Sequence, residues 1–286
     1  MSFSLSLSGG GCRGAAHIGV LSALQEANLT PCAVSGSSAG AIVAGLYAYG
    51  YTPDQLIKIC RELERSGEKL IDFNVLGIAM AVGQLARRRP ITLSGLLKGE
   101  RLRSLLRQLT KGCALSQVSL PVCIASVDLS SGETVAFSQR KPIHSLSNVR
   151  WEHDVLLYEA IYASCCVPVI FAPPASMNGV MVDGGVTDNL PVNLLLACDA
   201  PNIIAVDISE NFAPVDGEGI FEIASHSLSA MSRRLRDCTV RGERLLIRPK
   251  LPEDAGLFTF SLMSDCVQAG YAATRELTDL IDALAK

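Results

Sequence analysis

Twice within the first fifty residues a short apolar run leads into a glycine turn and then into a helical period. Residues 3–7 run into Gly9-Gly10-Gly11-Cys12-Arg13-Gly14, and a helix follows to about Ala27. Ala33–Ser37 then runs into Ser38-Ala39-Gly40, with a helix from Ser38 to about Tyr49. A strand that continues through a helix into another strand returns parallel to itself, so the pattern predicts an α/β layer architecture. Consecutive parallel strands often lie side by side, with their C-terminal ends facing one crevice.

The rest of the chain continues the alternation. Thr52, Pro53 and Gln55 carry the signature of a capped helix start, and this helix is expected to end near Gly67. Glu100–Leu109 places Leu102, Leu105, Leu106 and Leu109 on one stripe, with arginines opposite. Strands are expected at residues 120–127, 133–138, 180–182, 203–208 and 244–247. Helices are expected at 154–163, 220–236 and 264–285. No repeat, low-complexity tract or Pro/Gly/Ser-rich linker divides the 286 residues, so one domain over 1–286 is expected.

Composition excludes some function classes. The formal net charge is −3, which gives no global attraction for nucleic acid. The ten cysteines include no C-x-x-C pair, so a zinc-ribbon or thioredoxin-like site lacks its basic unit, and buried reduced thiols are the simpler reading. No run of about 18 apolar residues is present to cross a membrane. The N-terminus has neither the basic region nor the apolar stretch of a signal peptide. The expectation is therefore a cytoplasmic chain starting at Met1. Residues 75–86 are strongly apolar and are followed by Arg87-Arg88-Arg89. The favoured reading is a buried helix with a basic end. The competing one is peripheral membrane contact, with the arginines on lipid phosphates.

Two glycine motifs carry the chemistry. Gly36-Ser37-Ser38-Ala39-Gly40 is G-x-S-x-G between a strand and a helix, the context of a nucleophile elbow. Gly9–Gly14 also fits a dinucleotide fingerprint, but no acidic residue stands at the end of the second strand to hold a ribose, and no Gly-Lys-Ser/Thr makes it a P-loop. The reading that joins the motifs has the glycine loop bring backbone N–H groups to Ser38, where they would stabilise the oxyanion of an ester under attack. Arg13 is read as a brace for that loop rather than as added positive charge.

Serine needs a proton acceptor. The chain has four histidines, His17, His144, His153 and His226. An order Ser–Asp–His would permit His226, but it is expected in mid-helix with no loop to carry it to a sheet edge. Asp183, after the apolar Val180-Met181-Val182 and before Gly184 and Gly185, is the other candidate. A dry site that raises its pKa would make it a workable base.

Together these motifs resemble the patatin-like phospholipase family. The likeness covers Gly9–Gly14, Gly36–Gly40 and Asp183–Gly185. It extends to Ala163-Ser164 with Pro168 and Phe171, to Asn189 with Pro191, and to Val127-Asp128-Leu129 before Gly132-Glu133. The resemblance implies a three-layer α/β/α fold with a mostly parallel central sheet. It implies a Ser–Asp dyad, Ser38 as nucleophile and Asp183 as base, with backbone N–H groups of Gly10, Gly11 and Cys12 as the oxyanion hole. Gly9, Arg13, Gly14, Gly36, Gly40, Gly184 and Gly185 would support the motifs. The implied substrates are phospholipids, lysophospholipids or neutral acyl esters, cleaved without metal or cofactor. Two alternatives stay open: an acyltransferase or thioesterase on the same dyad, and a catalytically silent lipid-binding regulator.

Overall fold

The computed structural model describes residues 2–209, 219–239 and 242–285. In chain order the elements begin with β1 (Ser4–Leu7), α1 (Ala15–Glu26), β2 (Ala33–Ser37) and α2 (Ala39–Tyr49), followed by the helices α3 (Pro53–Ser66), α4 (Val75–Ala86) and α5 (Glu100–Leu109). Then come β3 (Val122–Asp128), β4 (Glu133–Ser138), β5 (Val149–Glu152), α6 (Leu157–Ser164), β6 (Met181–Asp183), α7 (Val192–Ala197) and β7 (Ile203–Val206). The chain closes with α8 (Ile220–Thr239), β8 (Leu245–Ile247), α9 (Met263–Arg275) and α10 (Thr278–Ala285).

One sheet has the order β5-β4-β3-β2-β1-β7-β8, with β6 paired to β3 off that path. The run β3-β2-β1-β7-β8 is parallel, while β4 and β6 both lie antiparallel to β3. Period-two alternation sorts β1 into two faces. Leu5 and Leu7 enter the main core with residues of α1, α2 and α6. Ser4 and Ser6 face the other way and are fully buried. There Ser35 Oγ–H is shared between Ser6 Oγ and the Pro191 carbonyl, each at 2.9 Å, which satisfies polar groups that would otherwise be costly. Leu190, Val192 and Leu195 pack on that second face against Ala33, Ile203 and Ala205. Helices thus cover both faces, giving the expected three-layer α/β/α arrangement.

The capping box of α3 forms as the sequence predicts: Gln55 N–H donates to Thr52 Oγ1 at 3.3 Å and Thr52 N–H donates to Gln55 Oε1 at 2.9 Å. Three expectations need correction. The single helix over 264–285 is two, α9 and α10. Strand β5 and helix α7 were not expected. Most consequentially, α4 forms and is capped by Asn74, whose Oδ1 accepts from Gly77 N–H at 3.0 Å, but it is not a buried helix, since none of its residues is buried. Among the described residues no helix is long and apolar enough to cross a membrane.

Candidate active site

Ser38 sits between β2 and α2 with φ 51° and ψ −121°. A positive φ is strained for a side chain with a Cβ and is tolerated where the surroundings over-determine it. They do so here. A Cβ on Gly36 would strike the backbone of Gly40, and one on Gly40 would strike the Leu7 carbonyl. The Ser38 N–H donates to Ser164 Oγ at 2.8 Å, and the Ser38 carbonyl accepts from Cys165 Sγ at 3.4 Å. Although Ser38 is at the N-cap position of α2, its hydroxyl makes no cap hydrogen bond and is left free for other work.

Strand β3 brings Asp183 to this elbow. Ser37 lies opposite Ala125, and Asp183 lies opposite Ser126, the next residue. Because β4 occupies one edge of β3 over residues 123–128, β6 takes the other edge, where β2 has just ended. Asp183 therefore follows Ser37 along the same track. Ser126 Oγ–H fixes β6 by donating to the Val182 carbonyl at 2.7 Å. The Asp183 carboxylate accepts from Gly185 N–H through Oδ1 at 2.7 Å. Its Oδ2 is buried without a closed hydrogen bond. Burial pushes the Asp183 pKa up to about 6; the facing Ser38 hydroxyl and the Gly185 N–H pull in the opposite direction. The hydroxyl is thus near enough to pull the carboxyl pKa down, although Oδ2 has no closed hydrogen bond, as is common in an unliganded site.

The glycine loop forms the third wall. Gly9 leaves no room for a side chain: a Cβ there would stand 2.5 Å from Asn189 Oδ1 and 2.9 Å from Ser38 Cβ. Among the described residues the N–H groups of Gly10 and Gly11 make no hydrogen bond to the protein. Arg13 Nε–H donates to the Gly10 carbonyl at 3.2 Å, consistent with the brace. Gly14 packs on Ala39, and Gly184 on the Ala125 carbonyl. Cys12 requires a correction. Its N–H already donates to the carbonyls of Gly256 and Leu257 at 3.2 and 3.3 Å, so it is not a free donor.

Ser38, Asp183, Gly10 and Gly11 line one cavity of about 350 Å³. Its far wall is α8, through residues that include His226, Met231 and Arg233. A buried ion pair anchors this wall: Arg236 on α8 lies 2.9 Å from Asp207, just beyond β7. The sequence reading did not anticipate α8 as a cavity wall, because nothing local in residues 220–239 distinguishes it from any other amphipathic helix.

Of the histidines, His226 lies within a helix, α8, as expected. His17 is fully buried and donates through Nε2 to the Ser8 carbonyl at 2.8 Å. Burial pushes its pKa down to about 4. His226 lines the cavity from α8, but no hydrogen bond joins any histidine to Ser38 or Asp183 among the described residues.

The description "Patatin-like phospholipase" matches residues 5–196. The chain belongs to the patatin-like phospholipase family. An uncharacterized NTE family protein of Mycobacterium tuberculosis is 30% identical over 207 residues, which are 72% of this chain and 49% of the relative. Lysophospholipase NTE1 of Mycosarcoma maydis is 26% identical over 208 residues, 73% of this chain and 10% of that protein. The chain thus spans about half the length, or less, of these curated relatives. The crystal structure of VipD from Legionella pneumophila aligns with a TM-score of 0.50 at 17% identity, covering 98% of this chain and 67% of that one, which shows a shared fold. The patatin-like match ends at residue 196, so β7, β8 and the cavity wall α8 lie beyond it.

Proposed function

We propose that this protein is a lipid acyl hydrolase that cleaves carboxylic esters through an acyl-enzyme on Ser38. The observation that carries the reading is the unpartnered, desolvated Oδ2 of Asp183 facing a hydroxyl held at a strained elbow. Ser38 Oγ attacks the ester carbonyl carbon as its proton passes to Asp183. The carbonyl oxygen becomes an oxyanion, and the N–H groups of Gly10 and Gly11 stabilise it. Collapse of the tetrahedral species breaks the ester bond, and Asp183 returns the proton to the departing alcohol or lysolipid. Water then attacks the acyl-enzyme with Asp183 again taking the proton, and the fatty acid leaves as Ser38 recovers its hydrogen.

Asp183 is a sensible base here because its pKa near 6 leaves it ionised at neutral pH, yet closer to a useful proton affinity than a solvated aspartate. The relatives support the substrate class: the family is one of phospholipases, and one relative is named a lysophospholipase. Hydrolysis of a p-nitrophenyl acyl ester tests the reading. Ser38→Ala and Asp183→Asn are each expected to lower kcat by about a thousandfold or more. Turnover persisting in folded Ser38→Ala removes the mechanism.

A further inference from the structure

Helix α4 departs from the rest of the fold. A helix that is apolar all round is normally buried, yet α4 buries none of its 12 residues. Val75, Leu76, Met80, Val82 and Leu85 are between 54% and 70% exposed. At 100° per residue these five positions spread over about 220° of the circumference, wider than one stripe, and the remaining arc holds the part-buried Gly77, Ala81 and Gln84. A protein partner on one stripe would leave part of so wide a face in water, whereas a fluid medium into which the helix sinks covers all of it.

The end of α4 is a built basic turn. Arg87, Arg88 and Arg89 are all exposed and form no ion pair among the described residues. Arg89 N–H donates to the Gln84 carbonyl at 2.8 Å. Beyond the arginines the chain is clamped back onto the helix: Thr92 N–H donates to Gln84 Oε1 at 3.0 Å, and Gln84 Nε2–H donates to Thr92 Oγ1 at 2.9 Å.

The base of α4 is tied to the rim of the cavity. Asn74 N–H donates to the Leu96 carbonyl at 2.8 Å, and Leu96 N–H donates to the Val169 carbonyl at 3.0 Å. Val169 is itself 49% exposed and directly follows Val167 and Pro168, which line the cavity.

We propose that α4 and its arginine turn dock this protein on an anionic phospholipid bilayer. The helix is about 18 Å long, too short to span the roughly 30 Å hydrocarbon core. It therefore lies in the boundary between headgroups and acyl chains, with Arg87, Arg88 and Arg89 on lipid phosphates. The tie to Val169 sets the cavity rim against the same surface. That a lipid enters the cavity from this surface rests on the proposed hydrolysis, whereas the docking does not.

The test is sedimentation of the whole protein with vesicles of phosphatidylcholine mixed with phosphatidylglycerol, and with vesicles of phosphatidylcholine alone. Wild type is expected to bind the mixed vesicles more tightly. Arg87→Gln, Arg88→Gln and Arg89→Gln combined are expected to weaken that binding by about a hundredfold, with little effect on the neutral vesicles. Leu76→Ser, Met80→Ser and Leu85→Ser combined are expected to weaken binding to both. Both variants are expected to keep the wild-type circular dichroism spectrum and melting temperature, which shows that they are folded. Equal vesicle binding by wild type and the arginine variant overturns the proposal. So does a wild-type oligomer that ignores vesicles and falls apart on the leucine–methionine substitutions, since a second copy then covers the helix. Vesicle binding as expected in a protein with no esterase activity leaves the docking standing and removes the proposed function.

Discussion

The main-chain N–H of Ser38 donates to the side-chain Oγ of Ser164 at 2.8 Å, across 126 positions of sequence. Ser164 ends α6 and is fully buried, so this bond ties the strained elbow to α6. Ser164→Ala leaves a buried N–H without a partner, at a cost of about 1–3 kcal/mol in stability. It also frees the nucleophile to drift, and kcat on a soluble ester is expected to fall about tenfold or more with little change in KM. Urea unfolding and steady-state kinetics measure the two effects. A variant that loses stability and keeps its full kcat shows that Ser164 does not position the nucleophile.

The pH dependence follows from Asp183. As a base it must be ionised, so kcat/KM is expected to rise with pH through about 6 and level off above it. Stability moves the other way. The folded pKa is raised from 3.8 to about 6, so the folded state holds the proton more tightly than the unfolded one. The Asp183 contribution is fully present below pH 3.8 and is lost as pH rises through about 6. Asp183→Asn removes a buried charge, and at pH 8 it is expected to raise the melting temperature while abolishing turnover. A rate profile flat through pH 6 contradicts the assignment of Asp183 as base.

Arg236 tests the α8 wall. Its partner Asp207 is 4% exposed. Burial alone would raise the carboxyl pKa, but Ser209, Arg236 and Arg248 together hold it below the ordinary value. Arg236→Ala leaves that carboxylate with a weaker set of partners, at a cost on the order of 3 kcal/mol. Because α8 lines the cavity, KM for an acyl ester is expected to rise several-fold while the reacting pair stays in place. Thermal unfolding and a comparison of KM with kcat check this. A fall in kcat at unchanged KM contradicts the assignment of α8 as a wall of the substrate cavity.

The parts legible in the sequence were those set by local chemistry. Thr52, Pro53 and Gln55 announced their helix because capping is decided within four residues. The turns at Gly9–Gly14 and Gly36–Gly40 were visible because only glycine tolerates such crowding. What stayed hidden depends on distant pairing. A strand was expected at 180–182, but the place of β6 on the edge that β2 vacates on β3 is encoded by no local pattern. Strand β5 is only half-buried, and α7 is a six-residue helix, so neither shows a clear period. The apolar character of α4 was plain, but its exposure was not, because hydropathy records how greasy a helix is and not what surrounds it. The committed N–H of Cys12 was hidden for the same reason, since its acceptors at Gly256 and Leu257 come from the far end of the chain.

The most direct measurement is covalent trapping of the nucleophile. The intact protein is treated with a fluorophosphonate, digested, and the modified peptide sequenced by mass spectrometry. A single phosphonylated residue at Ser38, absent in Ser38→Ala and strongly slowed in Asp183→Asn, is the predicted result. Modification of a different serine, or a folded wild-type protein that takes up no label, would contradict the account.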